Sequence, residues 1–587
     1  MRLVYGVFAR PHYKNEYLEV PFKKSILFFI LLVSCNNQVL TPDGCDGPGC
    51  FNLSDLKSKT THFFPFQLYN DINTCPDLAL LNGEEIPFNY GQAINFDNTG
   101  FFELVMDYKN ICDTVVFTLE DESRFPTEWG IPSWTPVPVT PDIINPCEII
   151  PIYPKRFVRG TGIPFVFYLY NNGVRAEGYS FGKHSLSRES FFVKHGEGSI
   201  VLPASSDDSI FNFNVNGRDV SLKSSFVESA SVFLEGEIQQ NTIIDKNEVV
   251  KIKHDLIIPS GYTLTINEGV IVAVGESVNI VNYGTINMSG TQENPVFFTS
   301  SESGTFWGGF ISTGNGSKIT SENTIFCHSG FSNSGKYGNV GHAHQQALFY
   351  SEDSELHLNH CYIIDHKGQS FYSLNSKLTL ESILVQRMIS GGEVNFSQAI
   401  IRNSIFTDFP NDNQMFIDAD NDALYIHASD ADIDSSCFMY AKDDGLDSGG
   451  HEGGIISVSN SRFEACFHEG AALSSENDVL KTHDFLNCIF LNCGQGIELG
   501  YSSPNHKVTV DNCLFLNNGI GIRYGDNYDN SETNGLMFVK NSKSCHNIID
   551  VWNMVYKLWA PELNNMTFEN VQISSFSRQY PDLEITP

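Results

Sequence analysis

The segment SCFMYAKDDGLDSGGHEGGIISVSNSRF, residues 436–463, contains one complete unit of an internal repeat. It opens on Ser436-Cys437-Phe438 and closes on Ser461-Arg462-Phe463, so that small or polar residues lead into a phenylalanine twice, 25 residues apart. Similar segments, each ending in an apolar anchor, end at Phe326, Tyr362, Ile383, Phe406, Phe438, Phe463, Phe490 and Phe515. Their successive spacings of 36, 21, 23, 32, 25, 27 and 25 residues indicate a period in the low twenties with loop insertions.

This period is typical of a solenoid with one β-helical coil per repeat. One coil cannot bury its own apolar side chains, whereas stacked coils share a continuous inner column. A propeller would need a period nearer about forty residues. We therefore predict an all-β chain with a right-handed parallel β-helix and its C-terminal cap over residues 235–587. Its inward-facing column should contain Phe406, Phe438, Phe463, Phe490 and Phe515.

The residues between the N-terminus and the repeats divide into shorter regions. Short apolar runs separated by turn-forming residues predict two small β-sandwich domains, at 53–130 and 151–234. The proline-rich segment 131–150 predicts a stiff linker between them. Residues 36–52 are predicted to be a tether.

Residues 1–35 end in KKSILFFILLVSC, in which two lysines precede a short apolar run and a cysteine. The apolar run is too short to span a membrane as a helix, and the pattern resembles a bacterial lipoprotein signal. That resemblance implies that Cys35 becomes the lipidated N-terminus. The protein would then be anchored in the cell envelope, at a bacterial outer membrane or cell surface, and would contact the membrane through the lipid only. An ordinary signal peptide followed by a structural cysteine is the alternative.

The charge balance limits the partners. Lys and Arg total 36 and Asp and Glu total 69, which gives a formal net charge of −33. Such a chain repels nucleic acid and favours divalent cations. An acidic polymer would bind only locally, through bridging metal ions or a basic stripe. We expect a monomer that does not bind nucleic acid.

Two groups of aspartates lie one repeat apart. Asp422 belongs to the first group, and Asp443, Asp444 and Asp447 form the second. Matching positions in neighbouring coils lie about 4.8 Å apart, so that the four carboxylates would crowd one place. Crowded carboxylates repel one another unless a cation or a shared proton compensates them. The pattern predicts a metal site or acid/base chemistry, and the alternative is solvated aspartates that close tight turns.

A column of polar residues follows the anchors by four to ten positions. About eight coils would form a groove on the order of 40 Å long, enough for several sugar units. The mixture of acids and bases in one column predicts an enzyme site for a polysaccharide. The candidate catalytic residues are Lys442, His468, Glu498 and Arg523, and the candidate substrate-binding residues are His344, His366, Lys367, Arg387 and Glu469. The column also includes His342, Glu393, Asp418, Asp420 and Asp526.

The same alignment stacks cysteines. It places Cys488 above Cys513 and Cys466 above Cys493. The spacing of adjacent coils falls within the range that a disulfide tolerates. These cysteines could therefore form disulfides or could be buried free thiols, and the sequence favours neither alternative.

The coil pattern over about 340 residues resembles the pectate-lyase-like right-handed β-helix superfamily. Within it, DALYI at 422–426 and DDGLD at 443–447 look like the calcium-binding pair of segments in family-nine pectate lyases. This resemblance implies a Ca²⁺ cofactor and β-elimination of a polysaccharide that contains uronic acid. It assigns as calcium ligands Asp422, Asp443, Asp444 and Asp447.

The resemblance also implies where the base should be. The family's catalytic lysine belongs to a segment of the form GFKLG, and the corresponding segment here is GIELG at 496–500. Glu498 replaces the lysine. Lys442 or His468 would then have to accept the C5 proton.

Polygalacturonases, which share the superfamily fold, are similar to this chain in a different way. Their order is an aspartate, a double aspartate one coil later and a histidine in the next coil, and it is matched here by Asp422, Asp443, Asp444 and His468. The family's glycine before the histidine and its Arg-x-Lys segment are absent. This resemblance implies an inverting hydrolase. A non-catalytic glycan-binding or adhesive lipoprotein is the third alternative.

Overall fold

The computed structural model describes residues 148–573 except 159–160, 172, 188, 204–209, 333–336, 410–419, 451–452, 476–479, 526–532, 546, 548 and 554–564. Before residue 148 it describes the backbone of seven strands only. Among the described residues there is no helix, and hence none long and apolar enough to cross a membrane. The described part of the chain is therefore all-β, as predicted.

The first seven strands form two antiparallel sheets. A two-stranded sheet pairs Phe66–Gln67 with Ala93–Ile94. The larger sheet has five strands in the order Ile30–Ser34, Ile111–Leu119, Gly100–Tyr108, Leu78–Leu81 and Glu84–Glu85. Strand Ile30–Ser34, at the edge of this sheet, belongs to the segment that resembles a lipoprotein signal, so cleavage before Cys35 would remove it. Residue Cys35 itself lies outside the described residues, as do the tether 36–52 and most of the linker 131–150.

The next domain is one curled sheet. Its antiparallel strands follow the spatial order Val174–Arg175, Gly162–Asn171, Glu197–Pro203, Ser190–Lys194, Tyr179–His184, Ile210–Val215 and Arg218–Lys223, and Glu148–Ile152 also pairs with Gly162–Asn171. A parallel pair, Arg156–Val158 with Ser225–Val227, accompanies it. The rings of Phe165 and Phe213, four strands apart in the sheet, nevertheless lie 4.9 Å apart between centroids. The predicted sandwich is therefore not confirmed, because alternating apolar residues do not distinguish two stacked sheets from one curled sheet.

Thirty-six strands from Val232 onwards form one continuous parallel sheet, wound so that three strand positions recur in each coil. We call these positions sheets A, B and C in chain order. Each strand pairs with its equivalent in the next coil, as in a parallel β-helix. This arrangement is consistent with the predicted right-handed parallel β-helix.

The bounds of the strands follow the same order in every coil. Sheet A comprises Thr242–Ile244, Thr263–Asn267, Thr285–Ser289, the first halves of Lys318–Cys327 and Glu355–Ile364, Lys377–Glu381, Gln398–Arg402, Asp430–Asp434, Gly454–Ser459, Lys481–Leu486, His506–Asp511, Leu536–Lys540 and Met566–Glu569. Sheet B comprises the first half of Val232–Glu237, the first half of Val249–Ile258, Ile271–Val274, Val296–Ser300, the second halves of Lys318–Cys327 and Glu355–Ile364, Leu384–Gln386, Ile405–Phe409, Cys437–Ala441, Arg462–Glu464, Ile489–Leu491, Leu514–Leu516, Lys543–Cys545 and Gln572–Ile573. Sheet C comprises the end of Val232–Glu237, the second half of Val249–Ile258, Ile280–Asn282, Phe310–Thr313, Ala347–Glu352, Gln369–Leu374, Glu393–Asn395, Tyr425–His427, Leu446–Ser448, Glu469–Leu473, Gln495–Leu499, Ile520–Tyr524 and Ile549–Asn553.

The predicted phenylalanine column is confirmed in sheet B. Phe406, Phe438, Phe463, Phe490 and Phe515 pair in register from coil to coil and are fully buried. Successive ring centroids are 5.2, 5.3, 4.9 and 4.8 Å apart, and each pair is stacked. The anchor of each repeat is thus the inward-facing residue of the same strand position.

The stacked cysteines are buried thiols. Cys466, Cys488, Cys493 and Cys513 are all free, as are the other described cysteines. The backbone N–H of Cys488 lies 3.4 Å from the sulfur of Cys513, which confirms the predicted stacking of this pair. The small side chains fill the interior without a covalent link.

The curled domain packs on the outer face of sheet B. Val166 and Tyr168 belong to the same apolar cluster as Tyr362, Leu384 and Ile405 of the β-helix. Buried ion pairs add to this contact, and they join Lys194 to Asp408 and His195 to Glu464. Sheet B is covered by this contact, whereas the outer face of sheet C and the turn that precedes it carry most of the predicted polar residues.

Candidate functional site

The outer face of sheet C carries one column of functional side chains, which we call the outer column. Tyr425 pairs with Asp447, Asp447 with Ala472, Ala472 with Glu498, and Glu498 with Arg523. Residues that alternate along a strand point to opposite faces, so equivalent positions in successive coils share one face. The register therefore places Glu498 two coils after Asp447 in the same column.

A second column, the turn column, lies where the chain enters sheet C. The backbone N–H of Asp444 donates to Oδ1 of Asp422 (3.2 Å), and the N–H of Glu469 donates to Oδ1 of Asp444 (2.9 Å). Glu469 then pairs with Gln495 in the next coil, and their side chains are hydrogen-bonded. Three carboxyl groups are thus stacked in three successive coils, and all three residues are buried.

The electrostatics of the turn column favour neutral carboxyl groups. Burial raises the pKa of Asp422, Asp444 and Glu469 well above the ordinary range. Neighbouring acids raise the pKa further: Asp443 acts on Asp422, Glu469 on Asp444, and Glu498 on Glu469. A desolvated cluster of this kind requires bound protons or a bound cation.

A loop from an earlier part of the chain supplies His342. Its Nε2 lies 2.7 Å from Oδ1 of Asp420 and 3.7 Å from Oδ2 of Asp447. Its ring stacks on Tyr425 with centroids 4.3 Å apart. The carboxylate of Glu393 fixes this loop by accepting the backbone N–H groups of His342 (2.7 Å) and the following residue (3.0 Å). The sequence alignment placed His342 and Glu393 in the polar column, but only the structure shows that one anchors the other.

His468, a predicted catalytic residue, lies beside the turn column. Its Nδ1 is 3.4 Å from Oδ1 of Asp443 and 3.6 Å from Oδ1 of Asp444. It also forms an ion-pair contact with Glu469 that lacks hydrogen-bond geometry. Its side chain is 27% exposed, compared with 6% for Asp443, so the imidazole is the more accessible of the two groups.

The four predicted calcium ligands come together in two adjacent groups. One group joins His342, Asp422 and Asp447, and the other joins Asp443, Asp444 and His468; within each group the potential ligand atoms all lie within 4.8 Å of one another. Calcium takes six to eight oxygen ligands, which the four aspartates would supply in part. The carboxylate donors therefore fit a hard cation such as Ca²⁺.

Arg523 and Glu498 neutralise each other. Nη1 of Arg523 donates to Oε2 of Glu498 (2.8 Å) and to Oε1 of Gln495 (3.0 Å). The guanidinium is buried and lies 5.9 Å from the ring centroid of Trp552. Glu498, which the resemblance to family-nine pectate lyases aligns with the catalytic lysine, is therefore part of an ion pair. Arg523 holds the two adjacent side chains, and its predicted catalytic role stays a prediction.

Lys442, the other predicted base, is also largely buried. Its Nζ lies 4.5 Å from the ring centroid of Phe467, and its backbone N–H donates to the carbonyl of Phe409 (2.7 Å). It lies beside Asp443 in the chain, at the turn that enters sheet C. Packing against an aromatic ring favours a structural cation over a mobile proton acceptor.

Two predicted substrate-binding residues are engaged elsewhere. His366 is buried, Nε2 lies 3.1 Å from the carbonyl oxygen of Phe326, and Nδ1 contacts Ser329. Burial lowers the pKa of His366 to about 3. Arg387 bonds Asp365 (2.6 Å) and the backbone of the curled domain, so it joins two domains. Neither side chain is brought to the site, because each satisfies buried polar groups.

Two further predicted residues are exposed. Lys367 lies over the rings of Phe306 and Phe331, at 4.6 and 4.7 Å from their centroids. His344 lies on the His342 loop with a left-handed φ of 52°. Both remain predicted substrate contacts. Asp418 and Asp526 lie outside the described residues.

Comparison with protein families gives one match. Residues 236–342 match the family described as the pectate-lyase like beta helix domain. No curated protein and no solved structure matched the chain. This match and the long parallel sheet support a β-helix of the pectate-lyase-like superfamily. A domain of this kind supports a carbohydrate-active protein that acts on polysaccharide.

Proposed function

We propose that the protein cleaves a polysaccharide by hydrolysis at the acidic cluster of sheet C. One observation supports this proposal above the others: the stacked coils bring Asp422, Asp444 and Glu469 into one column beside Asp447 and Glu498 in the next. Glycoside hydrolysis needs one carboxylic acid and one carboxylate on either side of the scissile bond. The cluster contains buried carboxyl groups that favour the protonated form and a carboxylate near the imidazole of His342 that favours the ionised form.

In this proposal Asp444 is the general acid. Burial and the adjacent Glu469 raise the pKa of Asp444, so its carboxyl group retains a proton that it can donate to the leaving oxygen. The backbone N–H of Glu469 fixes one of its oxygens, at 2.9 Å. The orientation of the acid is therefore set by the next coil.

Asp447 is the base in the same proposal. It lies in the outer column, and the imidazole of His342 lies 3.7 Å from its Oδ2. A nearby imidazole, when protonated, favours the ionised carboxylate. Asp447 would accept a proton from the water that attacks the sugar, as the second carboxylate of an inverting hydrolase does.

Calcium-assisted β-elimination is the second candidate, and the two groups of closely spaced ligand atoms favour it. Asp422, Asp443, Asp444 and Asp447 would hold the ion. Bound calcium supplies the charge that binds a uronate carboxylate and acidifies the C5 proton. Since Glu498 is paired with Arg523, His468 is the base that this reaction would use.

The products distinguish hydrolysis from β-elimination. Purified protein is incubated with a panel of neutral and uronate-containing polysaccharides, with calcium and with a chelator. New reducing ends without ultraviolet absorbance of unsaturated sugars are the result expected for hydrolysis. Unsaturated products that require calcium would favour elimination, and the absence of any cleavage on the whole panel would contradict both reactions.

A further inference from the structure

Behind Asp447 the interior of the β-helix is polar. Lys481, His483 and His506 point inward from sheet A, and none is more than 1% exposed. The inward position of His483 is taken by Ile456 one coil earlier and by Val508 one coil later. Removing an ammonium and two imidazoles from water costs several kcal/mol unless they are well paired. Charged or titratable side chains in an inward column that is apolar in the neighbouring coils are typical of a functional requirement.

These polar side chains form hydrogen bonds with the residues that follow Asp447. Nζ of Lys481 donates to the carbonyls of Ser448 (3.2 Å) and Gly449 (3.0 Å), and to that of Ser474 in the next coil (2.9 Å). Nε2 of His483 lies 2.9 Å from Oγ of Ser448. The inner side of the strand is thereby fixed at the two residues after Asp447, whose own side chain points outward.

The two imidazoles complete this arrangement as a neutral pair. Nδ1 of His483 lies 2.9 Å from Nε2 of His506, so only one proton fits between the rings. Burial lowers the pKa of both histidines, and that of His506 falls to about 3. The orientation of His483 toward Ser448 is therefore maintained at neutral pH.

We propose that Lys481 and His483, supported by His506, are positioning residues for the carboxylate of Asp447. This inference rests on the proposed function, in which Asp447 is the base. A strand backbone that is fixed at Ser448 fixes the direction of the preceding side chain. A base displaced by about 1 Å can lose about 10²-fold in rate.

The test uses Lys481→Met, which keeps the aliphatic stem and removes three hydrogen bonds. We expect kcat to fall about tenfold or more while KM changes less than about twofold. Hydrogen exchange, followed by mass spectrometry, should accelerate in the peptide that contains residues 446–449. The matched control is Ile286→Ala, a buried residue of sheet A many coils away, which should lower the melting temperature and leave both kcat and this exchange unchanged.

Ser448→Ala provides a milder variant if Lys481→Met does not fold, because it deletes only the hydroxyl that contacts His483. Its kcat should also fall, and exchange at 446–449 should rise. Unchanged kcat and unchanged local exchange in the folded variant would overturn the positioning role while the proposed function stands. If the wild type cleaves nothing, the proposed function fails, and the exchange measurement alone decides whether the cluster fixes this strand.

Discussion

At the scale of single residues, the site depends on how neighbouring coils share carboxyl groups. Asp444 lies between Asp422 and Glu469 in the turn column and touches both through backbone N–H groups. Asp444→Asn keeps the size of the side chain and removes its proton and its charge. We expect activity to fall at least about 10²-fold, as for loss of a general acid, with an unchanged melting temperature.

The same variant tests the metal. If calcium binds the aspartates, calorimetry of the wild type with Ca²⁺ alone should detect binding, and Asp444→Asn should weaken it strongly. Asp430→Asn is the matched control, because Asp430 is an exposed aspartate on sheet A. Equal affinity in the Asp444 variant and the wild type would remove Asp444 from the metal site.

At the scale of elements, the phenylalanine column of sheet B is a continuous part of the apolar core of the solenoid. Phe490 stacks between Phe463 and Phe515 and is fully buried. Phe490→Ala should lower the free energy of unfolding, measured with denaturant, by about 3–5 kcal/mol. Ile455→Ala, at a residue that is 55% exposed, should change it by less than about 0.5 kcal/mol. Equal effects would mean that the column does not support the fold.

The contact between the curled domain and sheet B should depend on pH through Glu197. Its carboxyl group is buried, and burial raises its pKa to about 7, against the lowering effect of Arg175. The folded state therefore binds the proton more tightly than the unfolded state, whose pKa is about 4.5. The stabilisation of the folded state by protonated Glu197 is fully present below pH 4.5 and is lost as pH rises through 7. The free energy of unfolding should change by a value on the order of 3 kcal/mol.

Glu197→Gln should abolish this loss, because the amide stays neutral. Melting temperatures measured between pH 5 and 8 would show a steeper decline for the wild type than for the variant. Glu464 provides a contrast: His195 and Arg462 lower its pKa to about 2 against its burial, so its contribution is lost only on strong acidification. Parallel melting curves for the wild type and Glu197→Gln would contradict a protonated Glu197.

The repeat anchors made the β-helix predictable, because each anchor is the inward residue of the same strand position. The aspartates were predictable for a related reason: an interval of one coil places Asp422 and Asp444 in contact. The hydrogen-bond partners of Arg523 and His366 were not predictable. The sequence does not indicate whether a polar side chain faces the groove or bonds to buried groups on the other side of the strand. The loop of His342 and the interior cluster at Lys481 depend on contacts across several coils, and such contacts leave no local pattern.

At the scale of the whole molecule, the predicted lipid anchor decides where the site works. We propose that Cys35 carries lipid and tethers the chain to a membrane. Cys35→Ala should release the protein into the soluble fraction after a high-salt wash, with the activity of the released protein unchanged. A variant that remains membrane-bound would exclude the lipid as the anchor.

Whether Asp444 belongs to an active site can be measured by incubating the polysaccharide panel with the wild type and with Asp444→Asn, and by following reducing ends and ultraviolet absorbance. We expect the wild type to release reducing ends without unsaturated products, and we expect an equally folded Asp444→Asn to release them at least about 10²-fold more slowly. Cleavage at the wild-type rate by Asp444→Asn would contradict the claim that the acidic cluster of sheet C is the active site.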